Sequence, residues 1–414
     1  MHLGSLWEEF RLLKVFYIWA FLIGFSAFSL PYMVLYFLEI ELSMTQIGLM
    51  FSIAAFARLI FEVPSGAFAD AFGRKASVVL GFFFAAILTF FIPLTNSFVL
   101  LLGFWIIIAV AGTFESGADK AWLVDYLKER KKTGILTTAL GRYASFLYLG
   151  ALISFSLSGL VVAKYSMREL WYIEAGVLFI LSLFLAVFGR ENHYAKDSSP
   201  IIPKKLFGDS IKAIKKSYRY SRKHPVLFYL MAATFFISLG GLASLIWTPF
   251  IVEVGFSEAA IGPLFAAMSL MGIIIPNFSQ KYLSKFKNEK NALILIEIVT
   301  FVPLLLMALA YSPYLVFGLW MVITGFGVLQ GPVFDTLFQK HTPTNIRATT
   351  SSINEMVSSV GNIITPLLAG IIADAFGIRV VLIATALVSI PVIASYSRIK
   401  EKAIFRKNAH ITKE

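Results

Sequence analysis

The chain has no cysteine, so neither a disulfide framework nor thiolate chemistry is open to it. Its five histidines are scattered at positions 2, 193, 224, 341 and 410. Without cysteine, that dispersion leaves no ligand set for zinc, and no metal or cofactor is expected. No G-x-x-x-x-G-K-[ST] segment occurs, so the chain carries no loop to cradle the phosphates of ATP. Serine, aspartate and histidine do not gather into a hydrolase pattern, and enzyme activity is not expected. Charge is also scarce, at 14% of residues against about 25% in soluble domains.

What fills the chain is apolar: 58% of residues, with 40 phenylalanines. A soluble protein of this length could not hide that surface, so lipid must cover much of it. A membrane-spanning helix needs about 20 apolar residues. Twelve such runs are read at 15–38, 46–69, 76–95, 97–122, 134–163, 168–188, 225–252, 259–281, 291–310, 313–338, 346–373 and 378–397. The fold class expected is therefore all-α and integral to a membrane. The first run is too long for a signal h-region and should act as its own insertion signal, with Trp7–Arg11 as an amphipathic lead-in.

Of the 36 Lys and Arg residues, 31 fall in the loops and tails of one side, Arg58 and Arg142 lie inside spans, and only Lys164, Arg168 and Arg379 face the other side. The positive-inside rule then puts both termini in the cytoplasm, in an inner or plasma membrane. The same distribution explains the net charge of +12 as topology, and nucleic acid is not an expected partner. Residues 189–224 join spans 6 and 7. Their basic stretch, with Phe207, Ile211, Ile214 and Tyr218 at helical spacing, reads as an amphipathic helix against anionic lipid. This linker separates a first six-helix unit, 1–188, from a second, 225–414. The units are related: Ser43, Ile47 and Gly48 recur as Ser257, Ile261 and Gly262. Likewise, Thr138, Gly150, Gly159 and Arg168 recur as Thr349, Gly361, Gly370 and Arg379.

Between spans 2 and 3 the chain reads Gly66-Ala-Phe-Ala-Asp70-Ala-Phe-Gly73-Arg74-Lys75. Gly66 would allow close helix contact, Asp70 puts a carboxylate at a helix end, Gly73 permits a tight turn, and Arg74 and Lys75 hold that turn in the cytoplasm. This G-x-x-x-D-x-x-G-R-K pattern resembles the loop between helices 2 and 3 of the major facilitator superfamily of secondary transporters. The resemblance extends over nearly the whole chain through the 6+6 repeat and the central basic loop. It implies two pseudo-symmetric six-helix bundles that carry a small molecule by alternating access. It also implies that Asp70 meets the positive N-terminal end of helix 11, near Arg347 and Ala348, when the cytoplasmic side closes, with Arg142 as a partner in its own half. The expected second copy of the motif, near Pro276, has lost its Asp and Gly, so the latch is expected to be one-sided.

A charge within the hydrocarbon is a functional candidate by default. Arg58, Glu62, Glu115 and Arg142 share the inner part of the first half, either as an ion network that braces the helices or as substrate and proton groups. In the second half Glu355, beside Asn354, and Glu297 lack an evident basic partner. Glu355 is read as a proton carrier or cation anchor, or as a neutral acid bonded to Asn354. Asp335 and Glu174 read as structural. In the superfamily, helices 1, 4, 7 and 10 line a central cavity. The corresponding lining would include Phe25, Phe28, Tyr32, Trp105, Glu115, Phe236, Trp247, Trp320 and Gln330, a set suited to an aromatic or amphipathic substrate. Helix 5 departs from the drug–proton antiporters of the superfamily in lacking a Gly-Pro pair. The expectation is a monomeric secondary transporter, in contact with membrane lipids, exporting an amphipathic or cationic compound in exchange for protons. A proton-coupled or facilitative importer of a small metabolite is the alternative, and a non-transporting scaffold on the same fold a remote one.

Overall fold

The computed structural model describes residues 3–116, 118–191, 219–221, 224–283, 288–343 and 346–399, without the side chains of 3–6, 119, 120, 276–283 and 348. The expected linker helix and the basic tail lie outside the described residues. Those described form fifteen α-helices and no strand. The first half contains α1 (Leu3–Ser26), α2 (Met33–Glu39), α3 (Met44–Phe72), α4 (Arg74–Phe91), α5 (Phe98–Glu115), α6 (Ala118–Glu129), α7 (Leu136–Lys164) and α8 (Met167–Phe188). The second half contains α9 (Pro225–Leu239), α10 (Leu242–Glu253), α11 (Glu258–Leu283), α12 (Glu289–Leu309), α13 (Pro313–His341), α14 (Arg347–Phe376) and α15 (Ile378–Ser397). Among the described residues, eleven helical segments are long and apolar enough to cross a membrane. Only α1 with α2 among the twelve expected spans falls short of that measure, because α1 carries Glu8, Glu9, Arg11 and Lys14 in its first half.

Three expected spans are interrupted, each for a local reason. Span 1 breaks between α1 and α2, where Pro31 cannot continue the hydrogen-bond ladder. The backbone N–H of Ser29 freed there donates to Glu174 Oε2 at 2.9 Å, which gives that carboxylate its structural role. Span 7 breaks at Gly240–Gly241, between α9 and α10. Span 4 ends at Glu115, short of the expected 122, where the backbone of Ser116 leaves the helical region (φ −53°, ψ 120°). The chain resumes as α6, whose Trp122, Leu123 and Leu127 are buried, with Trp122 against Phe16 and Trp19 of α1.

Three large apolar clusters fix the shape. One gathers the middle of α1, Val78–Ala86 of α4, the end of α8, α6 and the start of α7, from Leu13 to Leu185. A second gathers the starts of α9 and α12 with the ends of α13 and α15, from Val226 to Ile399. Each of these is confined to one half. The third joins both halves, running from Phe28 to Ala386 through Ile47, Trp171, Ile261 and Trp320. The first two clusters lie at the end of the molecule that carries Gly73, α6 and Arg398, hereafter the basic end. The shared cluster lies at the opposite, distal end. The two halves are thus packed together distally and have separate cores at the basic end.

Candidate functional site

Helices α3 and α14 run antiparallel across the boundary between the halves. Their register is set by small residues at close approach. A Cβ added to Gly48 would stand 2.2 Å from the carbonyl oxygen of Pro366, and one added to Gly370 would stand 2.2 Å from that of Met44. The backbone N–H of Leu367 donates to Ser52 Oγ at 3.1 Å. The pair α7 and α11 meets in the same way, with Gly159 against Ala259 and Pro263, and Gly262 against Phe155 and Ser158. The hydroxyl of Tyr32 accepts the N–H of Gly262 at 2.9 Å.

This register brings Asp374, near the C-terminal end of α14, onto the N-terminal end of α3. Asp374 Oδ1 accepts the N–H of Met44 at 3.1 Å and Oδ2 that of Thr45 at 2.7 Å. Ser43 completes the cap, its side chain accepting from Gln46 N while the Gln46 side chain accepts from Ser43 N. Two of the donors that every helix start leaves unpaired are therefore satisfied by a carboxylate, at the positive end of the helix dipole.

Asp374 lies in Ala373-Asp374-Ala375-Phe376-Gly377, which repeats Ala69-Asp70-Ala71-Phe72-Gly73 residue for residue. Both segments end a helix on a glycine in a backbone region that side chains avoid, φ 97° and ψ 149° at Gly73, φ 88° and ψ 161° at Gly377. Each is also followed by an arginine paired within its own half: Arg74 to Asp125 at 2.9 Å and Arg379 to Glu253 at 2.6 Å. The motif's second copy is therefore present, and the expectation of a one-sided latch is corrected. The copy sits at the far end of α14, outside the loop the six-helix repeat points to. An exact five-residue match within the chain was the signal that could have found it.

The two copies are in different states. Asp70 is exposed, with no hydrogen bond or ion pair among the described residues. A Cβ added to Gly66 would meet nothing within 4 Å, so Gly66 makes no close helix contact here. Behind the motif, the N–H groups of Arg74 and Lys75, at the start of α4, donate to Glu191 at 2.8 and 3.1 Å. Arg142, expected beside Asp70, instead pairs with Glu9 at 2.6 Å. The lead-in reading of Glu9 is corrected accordingly: α1 is continuous from Leu3, and its Glu9 is buried and also accepts from Tyr17 Oη at 2.6 Å.

The other candidates separate into exposed and enclosed groups. Arg58, Glu62 and Glu355 are exposed. The guanidinium of Arg58 lies 3.9 Å from where a Cβ would stand on Gly112, one turn before Glu115 at the end of α5. Asn354 accepts from the Thr234 hydroxyl of α9 at 2.9 Å. The buried carboxylate of the second half is thus Glu297 of α12, 5% exposed, and not Glu355, which the spans' approximate depths had placed inside. Gln330 of α13 donates to Glu297 Oε1 at 2.5 Å.

Glu297 and Gln330 line a cavity of about 250 Å³ together with Phe236, Trp247, Thr300 and Ser389. Three of the expected lining residues, Phe236, Trp247 and Gln330, come together here. Trp320 stands behind them, buried and stacked on Trp247 with ring centroids 5.5 Å apart. Phe28 and Tyr32 are buried in the shared distal cluster, with Phe25 and Trp105 packed against it. Trp105 is tied up with Phe51 and Trp171. In this conformation none of the described residues of the first half lines the cavity.

Comparison with known proteins agrees with this architecture. The model of the Major Facilitator Superfamily matches residues 16–364 and 285–410. An uncharacterized MFS-type transporter of Bacillus subtilis, YxaM, is 29% identical over 401 residues, covering 92% of this chain and 94% of that protein. A homolog of the multi-drug resistance efflux pump PmrA, from Lactococcus lactis, is 26% identical over 392 residues, covering 91% of this chain and 92% of that protein. Among solved structures, the nucleoside transporter NupG superposes with a TM-score of 0.77 at 17% identity, covering 94% of this chain and all of that one. A bacterial homolog of the lysosomal transporter Spinster, in an inward-facing and occupied conformation, superposes at 0.71 and 17% identity, covering 94% and 96%. At these identities the two structures speak to the fold alone. Together with the apolar helices, the family match over most of its length makes this chain a multi-pass membrane protein that belongs to the Major Facilitator Superfamily.

Proposed function

We propose that this chain is a secondary transporter working by alternating access, caught with its distal latch engaged and its basic-end latch open. The observation that carries the reading is the pair of identical Ala-Asp-Ala-Phe-Gly segments at opposite ends of one antiparallel helix pair. The start of α3 and Asp70 are 26 residues apart, about 39 Å along a helix, so the two latches sit on opposite faces of a bilayer. A rocking motion that seats Asp70 on the start of α14, at Arg347 and Ala348, would draw Asp374 away from Met44 and Thr45. The lysine and arginine distribution supports a cytoplasmic basic end, which makes the conformation inward-open, in the plasma membrane.

The cargo is a small amphipathic or cationic compound, and the direction is export against an inward proton gradient, working as a monomer. The Lactococcus lactis relative, named as a homolog of a multi-drug resistance efflux pump, supports that direction. Glu62, Glu115 and Glu355 are the proton-handling candidates that the open basic end leaves accessible or near its surface. Neutralising the responsible one should abolish flux driven by a pH gradient while sparing exchange.

The test is flux in proteoliposomes, with wild type beside Asp70→Asn. Expression and the inward-open shape should be unchanged, because Asp70 has no side-chain partner among the described residues in this state. Flux should fall about tenfold, the effect of losing roughly 1.4 kcal/mol from the opposite state. Unchanged flux in Asp70→Asn sinks the latch, and absence of flux in wild type under any gradient leaves a non-transporting scaffold.

A further inference from the structure

The cavity around Glu297 lies wholly within the second half, between α9, α10, α12, α13 and α15. No Lys, Arg or His is among the residues that line it. The carboxylate of Glu297 takes hydrogen bonds from the neutral side chains of Gln330 and Ser389, and the described residues place no cation beside it. A carboxylate this deeply buried is costly unless a positive partner or a proton joins it.

The hydroxyls of the wall point to the same kind of partner. Thr300 donates its hydrogen to the carbonyls of Ile296 and Glu297, Thr385 to that of Val381, and Ser244 to that of Gly241. Each has therefore spent its one donor on its own chain and turns only acceptor capacity toward a ligand. A ligand that fits must bring donors. Trp247, held in place by its stack on Trp320, adds an aromatic wall that favours a cation over its face. The volume of about 250 Å³ falls under the span of about 300–1,000 Å³ usual for drug-sized ligands. It admits one ring and a short chain.

We propose that this cavity is a binding site for a small organic monocation, a protonated amine on a single ring, with Glu297 as its counter-ion and Trp247 as its aromatic wall. The proposal deepens the transport reading, and rests on it only in taking the bound amine to be cargo. It moves the recognition group from the boundary between the halves, where Glu355 and Glu62 stand exposed, into the interior of one half.

The experiment is equilibrium dialysis of the purified full-length chain with two probes of equal heavy-atom count, phenethylammonium and neutral 2-phenylethanol. Wild type should bind the cation saturably and more tightly than the alcohol. Glu297→Gln keeps the shape of the site and removes its charge. It should weaken the cation about tenfold or more, as truncating one side of a buried charge pair does, and leave the alcohol within about twofold, its neutral hydroxyl making no charge pair. A second variant guards against misfolding. A Cβ on Gly327, another lining residue, meets nothing within 4 Å, so a side chain can start there freely, and Gly327→Leu should narrow the cavity and weaken both probes together. Equal binding of the two probes by wild type, or cation binding indifferent to Glu297→Gln, overturns the proposal. The two readings fail separately. Glu297-dependent binding without flux of any cargo removes the transport reading and leaves the site, whereas flux with binding indifferent to Glu297 removes the site and leaves the transport reading.

Discussion

Ala69–Gly73 and Ala373–Gly377 are the same five residues in nearly the same backbone conformation, yet the aspartate of one holds a neighbouring helix and that of the other holds nothing among the described residues. Burial does not distinguish them, since both aspartates are exposed. The difference is the partner. Asp374 faces a helix start whose N–H groups point at it, at 2.7 and 3.1 Å. Asp70 sits at the end where the cores of the two halves are separate. Local sequence thus specifies the chemistry of a latch, and the tilt between the halves decides which latch is engaged. Because each contact is an exposed carboxylate on a helix terminus, each contributes on the order of 0.3–2 kcal/mol. That is weak enough for both to open during a transport cycle and strong enough to bias which conformation is populated.

The comparison breaks most severely at the glycines that precede the two aspartates by one turn. A methyl group on Gly370 would stand 2.2 Å from the carbonyl oxygen of Met44, a backbone atom that cannot swing away, whereas one on Gly66 would meet nothing. Gly370→Ala should therefore destabilise the distally closed conformation by about 1–3 kcal/mol or more, the usual range for overpacking. Gly66→Ala should leave it unchanged. The chain contains no cysteine, so spin labels can be attached at Phe72→Cys and Gln339→Cys, exposed positions at the basic end of either half. The distance distribution between them should shift to shorter values in Gly370→Ala and stay long in Gly66→Ala. Identical distributions in the two variants would remove the asymmetry on which the alternating reading depends.

Asp374→Ala is the next step down. It removes the carboxylate from two backbone donors and should shift the same label pair toward the shorter distance by about 1–2 kcal/mol, or five- to thirty-fold in population. Asp70→Asn, which removes no side-chain contact among the described residues, should not move it.

Some of this was legible from the chain and some was not, for reasons that can be placed on particular residues. Apolar runs marked the spans because a bilayer forces each crossing to satisfy its own backbone. They could not mark Ser116 as the end of span 4, because Trp122, Leu123 and Leu127 continue an apolar pattern that is buried, with Trp122 against α1. Depth counted along a helix put Glu355 and Arg58 inside, but depth says nothing about which way a side chain faces, and both are exposed. Conversely, Glu9 looked like part of a polar lead-in, and its burial depends on Tyr17 and Arg142, the second of them more than a hundred residues away. The lining residues of the second half came together around Glu297, while Phe28, Tyr32 and Trp105 of the first half went into or against the distal core. Aromatic side chains on a helix face fit a cavity or a core equally well, and only the tilt of the halves separates the two. The second latch was missed through the choice of frame, since the six-helix repeat directs attention to Pro276, about a hundred residues before the five that match.

The smallest effect tests whether the distal contact is a latch of the two halves or simply a well-capped helix. Ser43 belongs to the cap of α3 through its bonds with Gln46, which lie within the first half and do not require Asp374 to be seated. Removing an N-cap hydroxyl costs about 1 kcal/mol. If the cap only stabilises α3, that cost falls on both conformations equally: Ser43→Ala lowers the melting temperature and leaves the label distances alone. If the Ser43 cap and Asp374 hold the start of α3 jointly, fraying the cap turns the N–H groups of Met44 and Thr45 away from the carboxylate. The distances should then shorten as they do in Asp374→Ala, by a smaller amount, and the double variant should show no further shift. Additive shifts in the double variant would mean that the serine and the aspartate act on α3 independently, and the latch would then rest on the Asp374 carboxylate alone.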